Sequence, residues 1–367
     1  MEVKKNIMVK KVDFYNFFKK KKILITGHTG FKGSWLATWF LKIGSKVIGI
    51  SKNIPTHPSN FKTLKLKNKI KNYYADINNF KKIKQIISKE KPDVIFHFAA
   101  QAIVSESFIH PLNTINTNTI GSLNILHSAS ILNKKCVCVM ITSDKCYFNF
   151  EKNTGYEEDS LLGGKDIYSG SKAAAEIILN SYFHAFNKKR KKLFFCTARA
   201  GNVIGGGDWS KNRLVPDIMK AWGKNKKAII KNSKSIRPWQ HVLEPLFGYM
   251  LMAHRLNSDK NLNGQSFNFG PTGKSFKVID LVENLGDFMS KRKQYLIKKN
   301  KLFDETKILK LNSKKSFKFF KWKAVLSLKE ISGFISEWYL NYFNKETDMY
   351  KFTIDQIKRY EKKVFKK

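Results

Sequence analysis

Arginine is scarce in this chain. Of 69 basic residues only seven are arginine, acidic residues number 28, and the formal net charge is +41 over 367 residues. A protein built to hold nucleic acid or an anionic surface gathers its cations, with aromatics between them, on one face. Here the lysines run through every segment, and Asn, Ile and Phe are abundant too, as an A/T-biased coding sequence would give. We read the charge as compositional drift and expect no nucleic-acid partner. Cysteine is equally sparse. Cys136, Cys138, Cys146 and Cys196 show no paired CxxC spacing and no accompanying histidines. That argues against a disulfide framework and against a metal site, and favours buried thiols in a reducing cytoplasm. No apolar run approaches the about 18 residues that cross a bilayer, so no membrane partner is expected. The opening MEVKKNIMVKKVDFYNFFKKKK is basic but lacks a continuous apolar core and a small-residue cleavage site, which argues against a signal peptide.

What is present points to one large α/β domain or two lobes, with an apolar fraction of 42% that suits a folded core. Short apolar runs read as buried strands: KILITG (22–27), KVIGIS (46–51), PDVIFHFAA (92–100), CVCVMITS (136–143) and LFFCTARAG (193–201). Helical periodicity separates them, from Phe31 to about Ile43 and over 111–132 and 167–187. Strands alternating with helices of this length predict a parallel, doubly wound, Rossmann-type sheet. After about residue 200 the pattern loosens into glycine-rich loop and shorter elements. We therefore expect a dinucleotide-binding lobe over 14–200 and a smaller, mainly substrate-binding lobe over 201–367, with some later segments free to return to the sheet. The tail TIDQIKRYEKKVFKK reads as a basic amphipathic helix, docked or solvated.

TGHTGFKG (26–33) places Gly27, Gly30 and Gly33 between a strand and a helix. Glycines there let backbone approach a dinucleotide diphosphate, and the helix N-terminus supplies N–H groups and a positive dipole end. A plain tight turn would carry the same glycines, and His28 and Lys32 are unusual inside such a loop. An NAD site ordinarily has an acid at the end of the second strand; here that end reads Ile50-Ser51-Lys52, which leaves NAD against NADP open. Asp76 suits the adenine edge or, equally, a helix N-cap.

YSGSK sets Tyr168 and Lys172 four apart on one helix face. A nearby ammonium favours the phenolate, and such a tyrosine can take a proton from an alcohol while hydride leaves the same carbon. The spacing arises often by chance. Its weight comes from Ser143, at a strand end in ITSDKCY (141–147), placed to bond the same oxygen, and from Asn118, which could complete a proton path. In ITSDKCY an acid and a base, Asp144 and Lys145, stand side by side; a turn would use the same residues. Arg199, Arg213 and Arg237 fall within 39 residues, where even scatter would place fewer than one of the seven. Planar, bidentate arginines suit a diphosphate.

Taken together, GHTGFKGSWL (27–36), FHFAAQ (96–101), TSDKCY (142–147), LGGKDIYSGSK (162–172), ARAGNVIGGGDW (198–209), RLVPDI (213–218) and RPWQHVLEPL (237–246) resemble the extended short-chain dehydrogenase/reductases, and within them the CDP-glucose 4,6-dehydratases. The resemblance spans about residues 14–362. It implies a homodimer that uses NAD and acts on CDP-glucose by C4 oxidation, loss of water across C5 and C6, and hydride return to C6. It further implies that Tyr168, supported by Ser143 and Lys172, takes the C4 hydroxyl proton. Asp144 would donate to the departing C6 oxygen, and Lys145, desolvated between cofactor and sugar, would take the C5 proton. The cofactor would touch Gly27, Thr29, Gly30, Phe31, Lys32, Gly33, Asp76, Ile77, Ala99, Ala100, Gln101, Asn118, Tyr168 and Lys172. Arg213, Arg237, Asn202 and Ser107 would hold the sugar nucleotide. Arg199 is either a third clamp or a structural residue, and His241 either a general base or a structural histidine. Where that family has basic residues this chain has Ser105 and Glu106. GYEEDS (155–160) reads as a solvated acidic loop.

Overall fold

The computed structural model describes residues 9–152, 154–187, 192–271, 276–298 and 308–365; the first eight residues of the basic opening and the last two of the tail lie outside them. Seven strands build the central sheet: β1 (Lys22–Thr26), β2 (Lys46–Ser51), β3 (Lys71–Tyr74), β4 (Val94–His97), β5 (Cys136–Ile141), β6 (Leu193–Ala200) and β7 (Ser266–Phe269). Their order across the sheet is β7-β6-β5-β4-β1-β2-β3, and every pairing is parallel. A parallel sheet is covered by helices on both faces, which is why β5 (CVCVMI) and β6 (LFFCTARA) are apolar runs buried at every position instead of alternating. The doubly wound expectation holds. The order reverses between β1 and β4, and that switch point leaves a crevice at the strand C-termini.

The chain returns to the sheet after residue 200. β7 pairs with β6, and the almost wholly buried helix Leu243–Ser258 packs on β5 and β6. SFNF is too short and too lightly patterned to declare itself a strand; only the free edge of β6 makes it one. Before and after these segments come small strand pairs, Val203–Ile204 with Gln240–His241, Ala228–Lys231 with Tyr295–Lys298 and Ile236–Arg237 with Phe276–Lys277, and the helix Leu214–Trp222. All four cysteines are free and buried.

The tail forms the helix Met349–Val364 and docks. Its Glu361, buried, accepts from Tyr15 Oη (2.5 Å), Trp39 Nε1 (2.8 Å) and Lys42 Nζ (2.8 Å), joining the first helix, Lys11–Phe18, to the last. Nearby Glu244 accepts Val325 N and Leu326 N at 2.8 Å and the Tyr360 hydroxyl at 2.8 Å. Burial pushes its carboxyl up to about 7 from 4.5, against those donors. A folded-state value above the unfolded one means that the group's contribution is full below pH 4.5 and is lost as pH rises through about 7. The span amounts to on the order of 3 kcal/mol. Glu244→Gln should therefore lose fewer degrees of Tm than the parent between pH 5.5 and 8.5. Parallel melting curves would refute this.

Candidate active site

The glycine loop is shaped by contact. Gly27 has φ +72°, and a Cβ there would stand 2.8 Å from Ala99 N; a Cβ on Gly33 would stand 2.3 Å from Gly27 O and 2.7 Å from His28 Cα. No side chain could replace either without moving backbone. Gly30 caps the helix Phe31–Ile43 with no side-chain hydrogen bond, leaving the first-turn N–H groups without a side-chain acceptor. His28 turns inward, away from the loop's open side: Nδ1 meets Ser51 Oγ and Nε2 meets Asn72 Oδ1, both at 2.9 Å, and burial lowers its pKa. It ties the loop to β2 and β3 as an uncharged ring. Thr29 does likewise, its N–H donating to Ser51 Oγ (3.3 Å) and its hydroxyl to Asn53 O (2.7 Å).

Asp76 is not the helix cap. Asn79 caps Phe80–Glu90 by accepting Lys82 N, whereas Asp76 accepts Asn78 N (2.9 Å) and pairs with Lys52 (2.9 Å). Burial alone would raise its carboxyl, but those two donors hold it low. Ile77 beside it is buried. Beyond β4, Ala99 N donates to Thr26 Oγ1 (3.1 Å), Ala100 follows, and Asn118 clamps Gln101 through Gln101 N (2.9 Å) and O (3.0 Å) while donating to Ser171 Oγ (2.9 Å). Asn118 lies in a π-helical turn, Asn116–Ile120, a local underwinding of the helix, and its amide meets that segment.

β5 ends at the candidate acid–base residues. Thr142 N still pairs with Ala198 O; then Ser143 leaves the sheet and caps the short turn Asp144–Cys146, its hydroxyl donating to Asp144 Oδ1 (3.0 Å) and accepting Lys145 N (3.2 Å). Ser143 also hydrogen-bonds the Tyr168 phenol. Asp144 is 5% exposed; burial raises its carboxyl, while Lys145, Ser143 and Lys32 work the other way. A Cβ on Gly201 would stand 3.1 Å from Asp144 Oδ2, so the carboxyl faces the turn that follows β6. Lys145 is half-buried beside it.

Tyr168 and Lys172 lie on the helix Ile167–Tyr182, which Asp166 caps by accepting Ser169 N (2.9 Å). Both are buried. The phenol is pushed up to about 12, first by burial, with the Ser143 hydrogen bond and Arg213 opposing and Asp144 adding. Lys172 is pushed down to about 8, also by burial. The expectation of a lowered phenol is thus not met: desolvation disfavours phenolate and ammonium alike and outweighs their spacing. Lys32 reaches the same region. Burial and the charges of Arg213 and Lys172 bring it down to about 8, with Asp144 and Asp208 opposing.

Arg213 faces this cleft, held by Asp208 Oδ2 (3.2 Å) and Ala102 O (3.3 Å) and one-third exposed. Arg237 is half-buried and donates to Ile236 O (3.1 Å), and Asn202 accepts Gln240 N through its carbonyl (3.1 Å). Ser107 is buried with its hydroxyl on Val104 O (2.7 Å), and Ser105 meets Asn212 across the cleft at 3.4 Å. Two alternatives are settled. His241 is fully buried between Trp35 and Phe334 and lowered to about 3 by burial, a core residue and not a base. Arg199 is buried in an ion pair with Glu176 (2.9 Å) and is structural. GYEEDS is not merely solvated: Tyr156 is buried, stacked on Tyr147, and Glu158 accepts Asn268 N at 2.8 Å. Sequence reading missed Glu176 and Asp208. Glu176, one turn beyond Lys172 on the Tyr168 face, was findable by period; Asp208 carried no signal beyond its glycine-rich loop. Among the described residues no cluster of three or more His, Cys, Asp or Glu could hold a metal ion, and no helix is long and apolar enough to cross a membrane.

The sequence profile of the family described as GDP-mannose 4,6 dehydratase matches residues 24–333. CDP-glucose 4,6-dehydratase of Salmonella typhimurium is 38% identical over 88% of this chain and 92% of its own. UDP-glucose 4-epimerase of Mycoplasma genitalium is 28% identical over 89% and 98%. Among solved structures, Epimerase Mth375 from Methanothermobacter thermautotrophicus superposes with TM-score 0.77 at 20% identity, covering 91% of this chain and 97% of that one. The dTDP-glucose 4,6-dehydratase of Bacillus anthracis, solved with NAD, gives 0.72 at 21% identity, with 91% and 99% covered. Profile, relatives and fold agree, and the chain belongs to the GDP-mannose 4,6-dehydratase family.

Proposed function

We propose that this protein is an NAD-dependent sugar-nucleotide 4,6-dehydratase that converts CDP-glucose to CDP-4-dehydro-6-deoxy-glucose, a step of deoxysugar biosynthesis. The observation that carries the reading is the buried Asp144 carboxyl next to Lys145, both joined through Ser143 to Tyr168. A 4-epimerase needs the tyrosine and the lysine of the helix but has no use for an acid and a base at 144–145. Tyr168 takes the C4 hydroxyl proton as C4 is oxidised. The resulting ketone acidifies the C5 proton, which Lys145 removes, while Asp144, whose carboxyl burial raises, donates to the C6 oxygen so that water leaves. Hydride then returns to C6 and a proton to C5, leaving a methyl group. Arg213 and Arg237 hold the nucleotide diphosphate, with Asn202 and Ser107 as further polar contacts.

The residues present fit a dinucleotide. Gly27 and Gly33 let the turn pack against Ala99 and upon itself where any Cβ would clash, and the first turn after Gly30 offers donors to a diphosphate. Phe31, Lys32, Ile77, Ala99, Ala100 and Gln101 line the same crevice in our reading, with Asp76 at the adenine edge and Asn118 behind Gln101. Bound there, the nicotinamide supplies the hydride acceptor and donor. Residues 14–200 chiefly serve it and 201–367 mainly serve the sugar nucleotide, in the cytoplasm.

The test is proton NMR of the protein with NAD and CDP-glucose, and with dTDP-glucose in parallel. Loss of the C6 methylene signals and growth of a methyl signal with CDP-glucose alone is the expected result. No methyl in either tube, with NAD bound, would favour an epimerase or a non-catalytic binder. The homodimer belongs to the same reading: Ile109, Leu112 and Ile177, exposed at 65%, 75% and 51%, lie on neighbouring helices and give a second copy an apolar face. Leu112→Glu with Ile177→Glu should convert dimer to monomer in sedimentation velocity; an unchanged sedimentation coefficient would refute that face.

A further inference from the structure

Beneath the 142–147 loop lies a buried ion pair that no step above uses. Glu176 and Arg199 are 2% and 3% exposed, with Arg199 Nη2 at 2.9 Å from Glu176 Oε2. Glu176 Oε1 accepts the Thr142 hydroxyl, and Oε2 also accepts Thr197 Oγ1 (2.7 Å) and Ser266 Oγ (3.2 Å). Arg199 Nη1 donates to the Tyr147 hydroxyl (2.7 Å) and to Glu158 O (2.8 Å), its guanidinium lying over the Tyr147 ring. Tyr147 in turn donates to Asn268 Oδ1 (2.8 Å). Thr142 and Tyr147 bracket Ser143, Asp144 and Lys145. One carboxylate, planted in the helix that carries Tyr168 and Lys172, therefore grips both ends of the acid–base loop, directly at Thr142 and through Arg199 at Tyr147.

Stability alone explains this poorly. Apolar residues of similar volume generally serve a core as well as a buried ion pair does, because desolvating two charges offsets their attraction. Fixed hydrogen bonds at both flanks of a reactive loop do what apolar packing does not: they set its register to within a fraction of an ångström. We propose that Glu176, acting with Arg199, is a positioning residue that sets the Ser143–Lys145 loop against the Tyr168–Lys172 face for the elimination step. This rests on the reading of Asp144 and Lys145 as the elimination pair.

Glu176 has a second, electrostatic effect that a purely structural brace would lack. The charged and titratable groups acting on Lys172 are Glu176 from its own helix, Cys146 from the loop, Lys32 from the helix after the glycine turn and His97 from β4. The Glu176 carboxylate favours the Lys172 ammonium, so its loss moves the alkaline limb of the pH–rate profile to lower pH.

The experiment compares the parent, Glu176→Gln, Glu176→Asp and the charge-neutral double variant Glu176→Gln with Arg199→Gln, each as the full chain with NAD and CDP-glucose. We expect Glu176→Gln to bind CDP-glucose with an almost unchanged KM and to form methyl product about 10- to 100-fold more slowly. Deuterium exchange at C5 should fall more than C4 oxidation followed at 340 nm. The alkaline limb should move down by about half a pH unit or more, and Glu176→Asp, which keeps the charge, should hold it in place. If Glu176→Gln does not fold, the double variant, which leaves no uncompensated charge, gives the same rate readouts. Equal losses in C4 oxidation and C5 exchange with an unmoved limb would overturn the proposal, and so would failure of both variants to fold, since the pair would then serve stability alone. A parent that converts neither CDP-glucose nor dTDP-glucose would instead remove the reading of the reaction on which the proposal rests.

Discussion

Lys145→Met is expected to keep C4 oxidation measurable while stopping solvent exchange at C5. Methionine has a similar length and no proton acceptor, so the half-buried site beside Asp144 stays filled while the base disappears. A positioned general base is worth about 10²–10⁴ in rate, and methyl formation should fall by that factor. In the proposed reaction the step before it depends on Tyr168, Ser143 and Lys172, none of which the substitution removes. Reduction of NAD at 340 nm in a single turnover, followed by deuterium incorporation read by NMR, separates the two. Unchanged turnover would show that Lys145 is not the base.

Tyr168→Phe is expected to reach further back and abolish both steps. Phenylalanine keeps the buried ring and its packing, so folding and CDP-glucose binding persist, but no group remains to take the C4 proton. The loss in C4 oxidation should be about 10²–10⁴-fold, and because elimination needs the ketone, C5 exchange should vanish with it. Burial holds the phenol up to about 12 and Ser143 bonds it, so Ser143→Ala should give a smaller loss in the same direction. C5 exchange that survives in Tyr168→Phe would refute the assignment.

Legibility in the sequence followed the range of each interaction. The strands at 22–26, 46–51, 136–141 and 193–200 are readable because burial on both faces leaves apolar runs with sharp ends. The glycine turn is readable because contact with Ala99 and His28 forbids any side chain at Gly27 and Gly33. Tyr168, Lys172 and Glu176 share a face through helical period alone. Acidic GYEEDS misled, because its burial depends on Tyr147 and Asn268 from distant segments, which no local composition records. His241 and Arg199 remained ambiguous for the same reason: a histidine and an arginine look alike in sequence whether they face a cleft or a core.

The sequence by itself therefore determined the parallel sheet, the glycine turn and the residue types of the candidate site, since each depends on neighbours within a few positions. Tertiary structure alone decided that Ser266–Phe269 closes the sheet, that Asp144 is buried against Gly201, that the Tyr168 phenol is raised instead of lowered, and that Glu176 joins its helix to the 142–147 loop. Desolvation and cross-chain hydrogen bonds set those outcomes, and both depend on which surfaces meet, a property that exists only once the chain has folded.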